Sequence, residues 1–202
     1  MSSQPAPYHH GMLADALAEA AFRQVRVEGT AAVSLRSLAH ELGVSPSAAY
    51  NHYADKEALL GAVAIRCQGE LDTRMDQAAA RCPGDADADL VARFRELGRA
   101  YITFAQQEPR LFAHAFMGMC DFEPQLLGQS HAFVLLCSVL DELDARSLLR
   151  PGIRMDLEMT IWVAVHGFAE LALNGSLPFE AAASLLDSIH RLVLRDGIAP
   201  AP

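Results

Sequence analysis

Ser34-Leu-Arg-Ser-Leu-Ala-His-Glu-Leu-Gly-Val-Ser-Pro-Ser-Ala-Ala-Tyr-Asn-His-Tyr53 is the stretch that decides how this chain is read. Leu35, Leu38, Ala39 and Leu42 are apolar at i, i+3, i+4 and i+7, which sets them on one face of a short helix. Ser34 is placed to cap that helix and Gly43 to break it. Ser45-Pro46 then opens a second short helix, from about Pro46 to Tyr53, because proline in a first turn gives up no helical hydrogen bond. Two short helices joined by a tight turn, here Leu42-Gly43-Val44-Ser45, are the plan of a helix-turn-helix. In that plan the second helix offers its N-terminal residues to base edges in the major groove.

Working outward, a helix is expected from about His9 to Val27, with Leu13, Leu17, Ala20 and Ala21 along one face and Gly29 placed to end it. Asp55 can cap a long helix from Lys56 to about Ala80, which Cys82-Pro83-Gly84 ends. Helical spacing continues over Asp87 to Gln107, Arg110 to Met119, Pro124 to Ala145, Arg154 to Asn174 and Phe179 to Arg195. Strand signals are nearly absent. The expected fold is all-α with about nine helices: a three-helix helix-turn-helix domain over residues 1–54, then a larger helical domain over residues 55–202.

The 202 residues are 51% hydrophobic and 20% charged, enough for a real core. No apolar run reaches the roughly 18 residues of a membrane span, and the opening residues lack the charged-then-apolar layout of a signal peptide, so a cytoplasmic protein without a membrane partner is expected. Cys67, Cys82, Cys120 and Cys137 form no CxxC pair and read as reduced, with no metal expected. The net charge of -9 is unfavourable for DNA. Residues 1–60 hold four basic side chains (Arg23, Arg26, Arg36, Lys56) against six acidic ones, so any DNA reading rests on geometry rather than on charge.

Extended through Ala54-Asp55-Lys56-Glu57-Ala58-Leu59-Leu60, the opening stretch strongly resembles the ordered pattern of the tetracycline-repressor (TetR) family, and the resemblance covers residues 8 to about 65. Farther on, Trp162-Val-Ala-Val-His166-Gly167 and the run Ala100 to Ala105 ahead of Glu108-Pro109-Arg110-Leu111-Phe112 resemble the WHG-type C-terminal domain of some TetR regulators, as does Tyr8-His9-His10-Gly11. The resemblance implies a homodimer that binds a palindromic double-stranded DNA operator, a small-molecule effector, and repression relieved when the effector binds. It implies no cofactor and no catalytic residue.

Ser45, Ser47, Ala48, Tyr50 and Asn51 fall at the start and along the face of the second helix, where small residues allow close approach and Asn can pair with adenine. A merely solvated face is the alternative. By resemblance Tyr50 and His52 face phosphates, as does Lys56, whose ammonium stands at a helix start. Arg36 can reach a guanine edge or a phosphate, or else pair with Glu41. Thr30 and Ser34 are candidate hydroxyl donors to phosphate, with capping as their plainer duty. Phe94, Tyr101, Phe104, Phe112, Phe116, Met117, Phe133, Cys137, Trp162 and His166 are candidate pocket walls for an uncharged or aromatic molecule, though stripes of this kind also make plain core. Leu157, Ile161, Val165 and Phe168, with Leu185, Leu186, Ile189, Leu192 and Val193, are expected to dimerise as a four-helix bundle. A helical-bundle metalloenzyme is the rival class. No Glu-x-x-His pair occurs, and Asp187-Ser-Ile-His190 is its lone near miss.

Overall fold

The computed structural model describes residues 10–116 and 130–197. Among them are nine α-helices: α1 (His10–Glu28), α2 (Leu35–Glu41), α3 (Pro46–Tyr50), α4 (Lys56–Ala80), α5 (Asp87–Gln107), α6 (Pro109–Phe116), α7 (His131–Ala145), α8 (Leu157–Leu173) and α9 (Ala182–Val193). Short 3-10 turns cover Thr30–Ala32 and Phe179–Ala181. The all-α expectation holds. The expected helix parts Met117–Met119 and 124–129, with the candidate wall Met117, lie outside the described residues.

The chain divides into two compact units, one of residues 1–68 with 110–120 and one of 69–109 with 121–202. In the first unit α1, α2 and α3 pack on one another, and Leu17, Val25, Leu38, Ala39, Ala49 and Leu59 are fully buried. Gly43 makes the turn between α2 and α3 with φ of 69°, a left-handed conformation in which a side chain is strained. α3 is shorter than expected, because the chain turns after Tyr50. Tyr53 leaves the helix and donates its hydroxyl to the Ala14 carbonyl of α1 at 3.2 Å. α6 is held in the same unit by Arg110, which donates to the Val27 carbonyl at 2.6 Å, and by His114, which bonds the Leu60 carbonyl at 2.8 Å.

In the second unit α7, α8 and α9 each pack against α5, which buries Leu90, Val91, Phe94, Leu97, Tyr101, Ile102, Phe104 and Ala105. At Gly98 the bare backbone of α5 lets Leu186 of α9 come close: an added Cβ would stand 2.6 Å from its Cδ2. α8 starts at Leu157 rather than Arg154, since Asp156 adopts a left-handed φ of 58° while Arg154 is taken up by Asp141 and Glu158. α9 stops at Val193, where the chain becomes extended and Leu194 pairs with Leu149 in an isolated antiparallel bridge.

One expectation about the last two helices is corrected. Leu157, Ile161, Val165, Phe168, Leu186, Ile189 and Val193 are buried within the subunit's own core, and Leu185 is half-buried. On α8 and α9 the exposed large apolar side chains are Val163, Leu171 and Leu192. Helical periodicity gave an apolar face correctly, but α5 covers most of it.

Candidate DNA-reading surface and apolar cavity

The ten residues expected to read DNA all fall in the first unit. Ser34 caps α2, accepting from the Ser37 N–H at 3.5 Å, and Ser45 caps α3, accepting from the Ala48 N–H at 3.2 Å. Each cap fixes where its helix begins and keeps a hydroxyl proton for another partner. Beyond Ser45, Ser47, Tyr50 and Asn51 are exposed, while Ala48 and His52 are half-buried. Arg36 is exposed in the first turn of α2 and has no ion-pair partner among the described residues. Glu41 pairs instead with Arg23 at 3.7 Å. Lys56 donates to the Ala31 carbonyl at 3.2 Å, which holds its ammonium beside the turn that carries Thr30. Asp55 caps α4 through the Ala58 N–H at 2.8 Å. Ser34, Arg36, Ser45, Ser47, Tyr50 and Asn51 thus leave polar groups open to water on two short helices.

The second unit holds an apolar cavity of about 30 Å³. Among its lining residues are Phe94, Leu97, Gly98 and Tyr101 of α5, Met75 of α4, Leu136 of α7, Ile161, Trp162 and Val165 of α8, and Leu186, Ile189 and His190 of α9. Tyr101 packs edge-on against Trp162, with ring centroids 5.1 Å apart. Its hydroxyl lies 2.8 Å from His166 Nδ1 in a hydrogen bond. Burial raises the Tyr101 pKa well above its ordinary value, with the Glu170 charge adding to it, so the hydroxyl stays protonated. Burial also lowers the pKa of His166, opposed by Glu170. His190 is stacked on Phe94 at 5.1 Å with 14° between the planes. Its pKa is pushed down to about 4, chiefly by burial and then by the Arg95 charge, against the pull of Asp187.

Three of the ten expected wall residues, Phe94, Tyr101 and Trp162, line this cavity. His166 backs it through Tyr101, and Phe133 backs it by standing edge-on to Trp162 at 5.5 Å. Phe104 is fully buried under the Arg74 guanidinium, 5.2 Å from its ring centre, and is not part of the wall. Cys137 is half-buried and outside the lining, and Phe112 and Phe116 pack on each other at 5.0 Å in α6, within the first unit. No group of three or more His, Cys, Asp or Glu is placed to hold a metal ion among the described residues.

Comparison with known families matches residues 17–63 to the bacterial regulatory proteins of the tetR family and residues 94–195 to the tetracyclin repressor-like C-terminal domain. The chain belongs to the TetR family. It is therefore a transcription regulator with a DNA-binding helix-turn-helix, and the Trp162–Gly167 segment falls inside the matched C-terminal range. Among solved structures, this TetR-family chain is similar to a Rhodococcus sp. RHA1 protein of unknown function, at 28% identity and a TM-score of 0.73 over 95% of this chain and 100% of that one. A TetR family transcription regulator from Marinobacter aquaeolei VT8 shares the fold at 22% identity and a TM-score of 0.60, covering 90% of this chain and 95% of its own. SmeT, the repressor of the Stenotrophomonas maltophilia multidrug efflux pump SmeDEF, does so at 18% identity and 0.65, covering 94% of each. No curated protein matches the chain.

Sequence reasoning missed Met75, Leu97, Gly98, Leu136 and His190 as parts of the TetR-family cavity. For His190 a signal was available: it is the one polar residue on the apolar face made by Leu186, Ile189 and Val193.

Proposed function

We propose that this regulator is a homodimeric repressor that holds a near-palindromic operator and leaves it when a small molecule occupies the apolar cavity. The recognition helix carries the reading: α3 is capped by Ser45, anchored by the buried Ala49, and turns Ser47, Tyr50 and Asn51 outward. With Arg36 uncommitted, Ser47, Asn51 and Arg36 are read as base contacts and Tyr50, Thr30 and Lys56 as phosphate contacts, with a reading domain of residues 1–54 and Lys56 just beyond it. Residues 55–202 then sense and dimerise. No described helix is long and apolar enough to cross a membrane, in keeping with action in the cytoplasm.

Few cations are available per subunit, so affinity has to come from two subunits at half-sites about one helical turn apart, roughly 35 Å. The exposed Val163, Leu171 and Leu192 support a dimer through α8 and α9. Met75, in the cavity wall, lies on the same helix that begins at Lys56, so a ligand that displaces Met75 acts on an element of the reading head. Operator selection from random duplexes followed by footprinting tests the reading. The expected footprint has two-fold symmetry, Asn51→Ala changes preference among operator variants, and Lys56→Ala weakens all of them alike. Leu192→Glu is expected to sediment as a monomer. A footprint without symmetry overturns the dimeric repressor.

A further inference from the structure

His190 is 3% exposed, and its Nδ1 is buried with no hydrogen-bond partner. A buried polar atom left unpaired raises the free energy of the fold, and His190 is one of the residues that line the apolar cavity, so a polar partner that enters beside the imidazole can recover part of that loss. The cavity of about 30 Å³ has room for one water. Such a water needs two to four polar neighbours to be held, yet besides His190 the lining offers polar side-chain atoms only on Trp162 and on Tyr101, whose hydroxyl is already bonded to His166. Water is a poor occupant of this site. A molecule that brings one hydroxyl to the His190 imidazole and an apolar ring to the other side chains satisfies both.

The same wall excludes charge. Among the described residues no Lys, Arg, Asp or Glu lines the cavity, so a carboxylate or ammonium entering it would meet no opposite charge among them. An imidazole nitrogen donates or accepts according to its tautomer, and a hydroxyl answers either. Room for a ring comes from flexible side chains. Met75 has several rotatable bonds, and Leu186 packs over Gly98, where α5 carries no side chain.

We propose that the effector is an uncharged single-ring molecule bearing one hydroxyl, phenol-like in its chemistry, and that His190 is the residue that reads the hydroxyl. The proposal rests on the cavity being the effector site. Trp162, the single tryptophan of the chain, forms part of the wall, so its fluorescence reports occupancy. The full-length protein is titrated with phenol, toluene and benzoate. Phenol is expected to bind about tenfold more tightly than toluene, since one hydrogen bond to a buried neutral partner separates them, and benzoate is expected not to bind. In His190→Leu the preference for phenol disappears while toluene still binds; His190→Gln, which keeps a polar atom at the site, retains part of it. Circular dichroism checks the fold of both variants, and if His190→Leu does not fold, the wild-type ranking and His190→Gln decide. Benzoate binding as tightly as phenol, a phenol preference that survives His190→Leu, or no response to any probe overturns the proposal. The same probes added to the operator complex separate it from the reading beneath it. Selective binding that leaves operator affinity unchanged upholds His190 and removes the effector role, whereas equal binding of phenol and toluene with release of operator does the reverse.

Discussion

In the first unit the side chains proposed to meet DNA stand on the outside of two short helices whose ends are set by Ser34, Gly43 and Ser45. In the second, the side chains proposed to meet an effector stand on the inside of five helices, among others that only fill space. A cap or a left-handed glycine acts over a few residues, so the outer surface follows from local chemistry. A cavity is defined by what fails to fill it, and that depends on side chains far apart in the chain. Phe104 and Phe94 illustrate the difference. Both are buried aromatics of α5, yet one is solid core and the other faces open space.

Phe104→Ala is the sharpest test of that contrast. With its ring fully buried, the truncation should lower unfolding stability by about 3–5 kcal/mol, read from the denaturant midpoint. A loss under about 1 kcal/mol would show that the Phe104 ring is not part of the packed core. Next comes His190. The folded chain takes up its proton only near pH 4, whereas the unfolded chain does so near 6.5, so between those values the unfolded chain holds the extra proton. The contribution is complete above about pH 6.5 and is lost as pH falls to about 4, by at most about 3 kcal/mol. Wild type should therefore lose more stability than His190→Gln between about pH 7 and pH 4.5, and parallel curves would show that the imidazole is not held neutral.

Two smaller effects probe the first unit. Gly43→Ala meets no atom within 4 Å but must hold a φ of 69°, so a loss of about 1 kcal/mol is expected. A neutral result would show that the turn relaxes. Arg36→Ala should shift stability by less than about 0.5 kcal/mol, because the guanidinium has no ion-pair partner among the described residues, while still weakening operator binding. A clear stability loss would make Arg36 a scaffold residue.

The fold was legible almost throughout because its punctuation is chemical. Gly29, Gly43, Pro46, Asp55 and Pro83 mark helix ends by what their backbones and side chains permit. The exceptions have local and tertiary causes: α8 starts late where Asp156 turns left-handed, and Leu194 leaves α9 early where it pairs with Leu149. At the candidate sites the same divide appears. The caps and exposed positions of α2 and α3 could be read from spacing alone, whereas Leu136 and Met75 gave no sign of facing a cavity. His190 could have been suspected as a lone polar group on an apolar face.

The bridge between Leu149 and Leu194 bears on the order in which the molecule is made. Most partners within α1, α2 and α3 are close in sequence, so that cluster can close quickly. The second unit waits for α9, which brings Leu186, Ile189 and His190 back to α5 across much of the chain and is pinned by that late bridge. Closing so large a loop costs entropy before any contact offsets it. During translation α1, α2 and α3 can therefore pack together while the cavity still lacks the wall that α9 supplies.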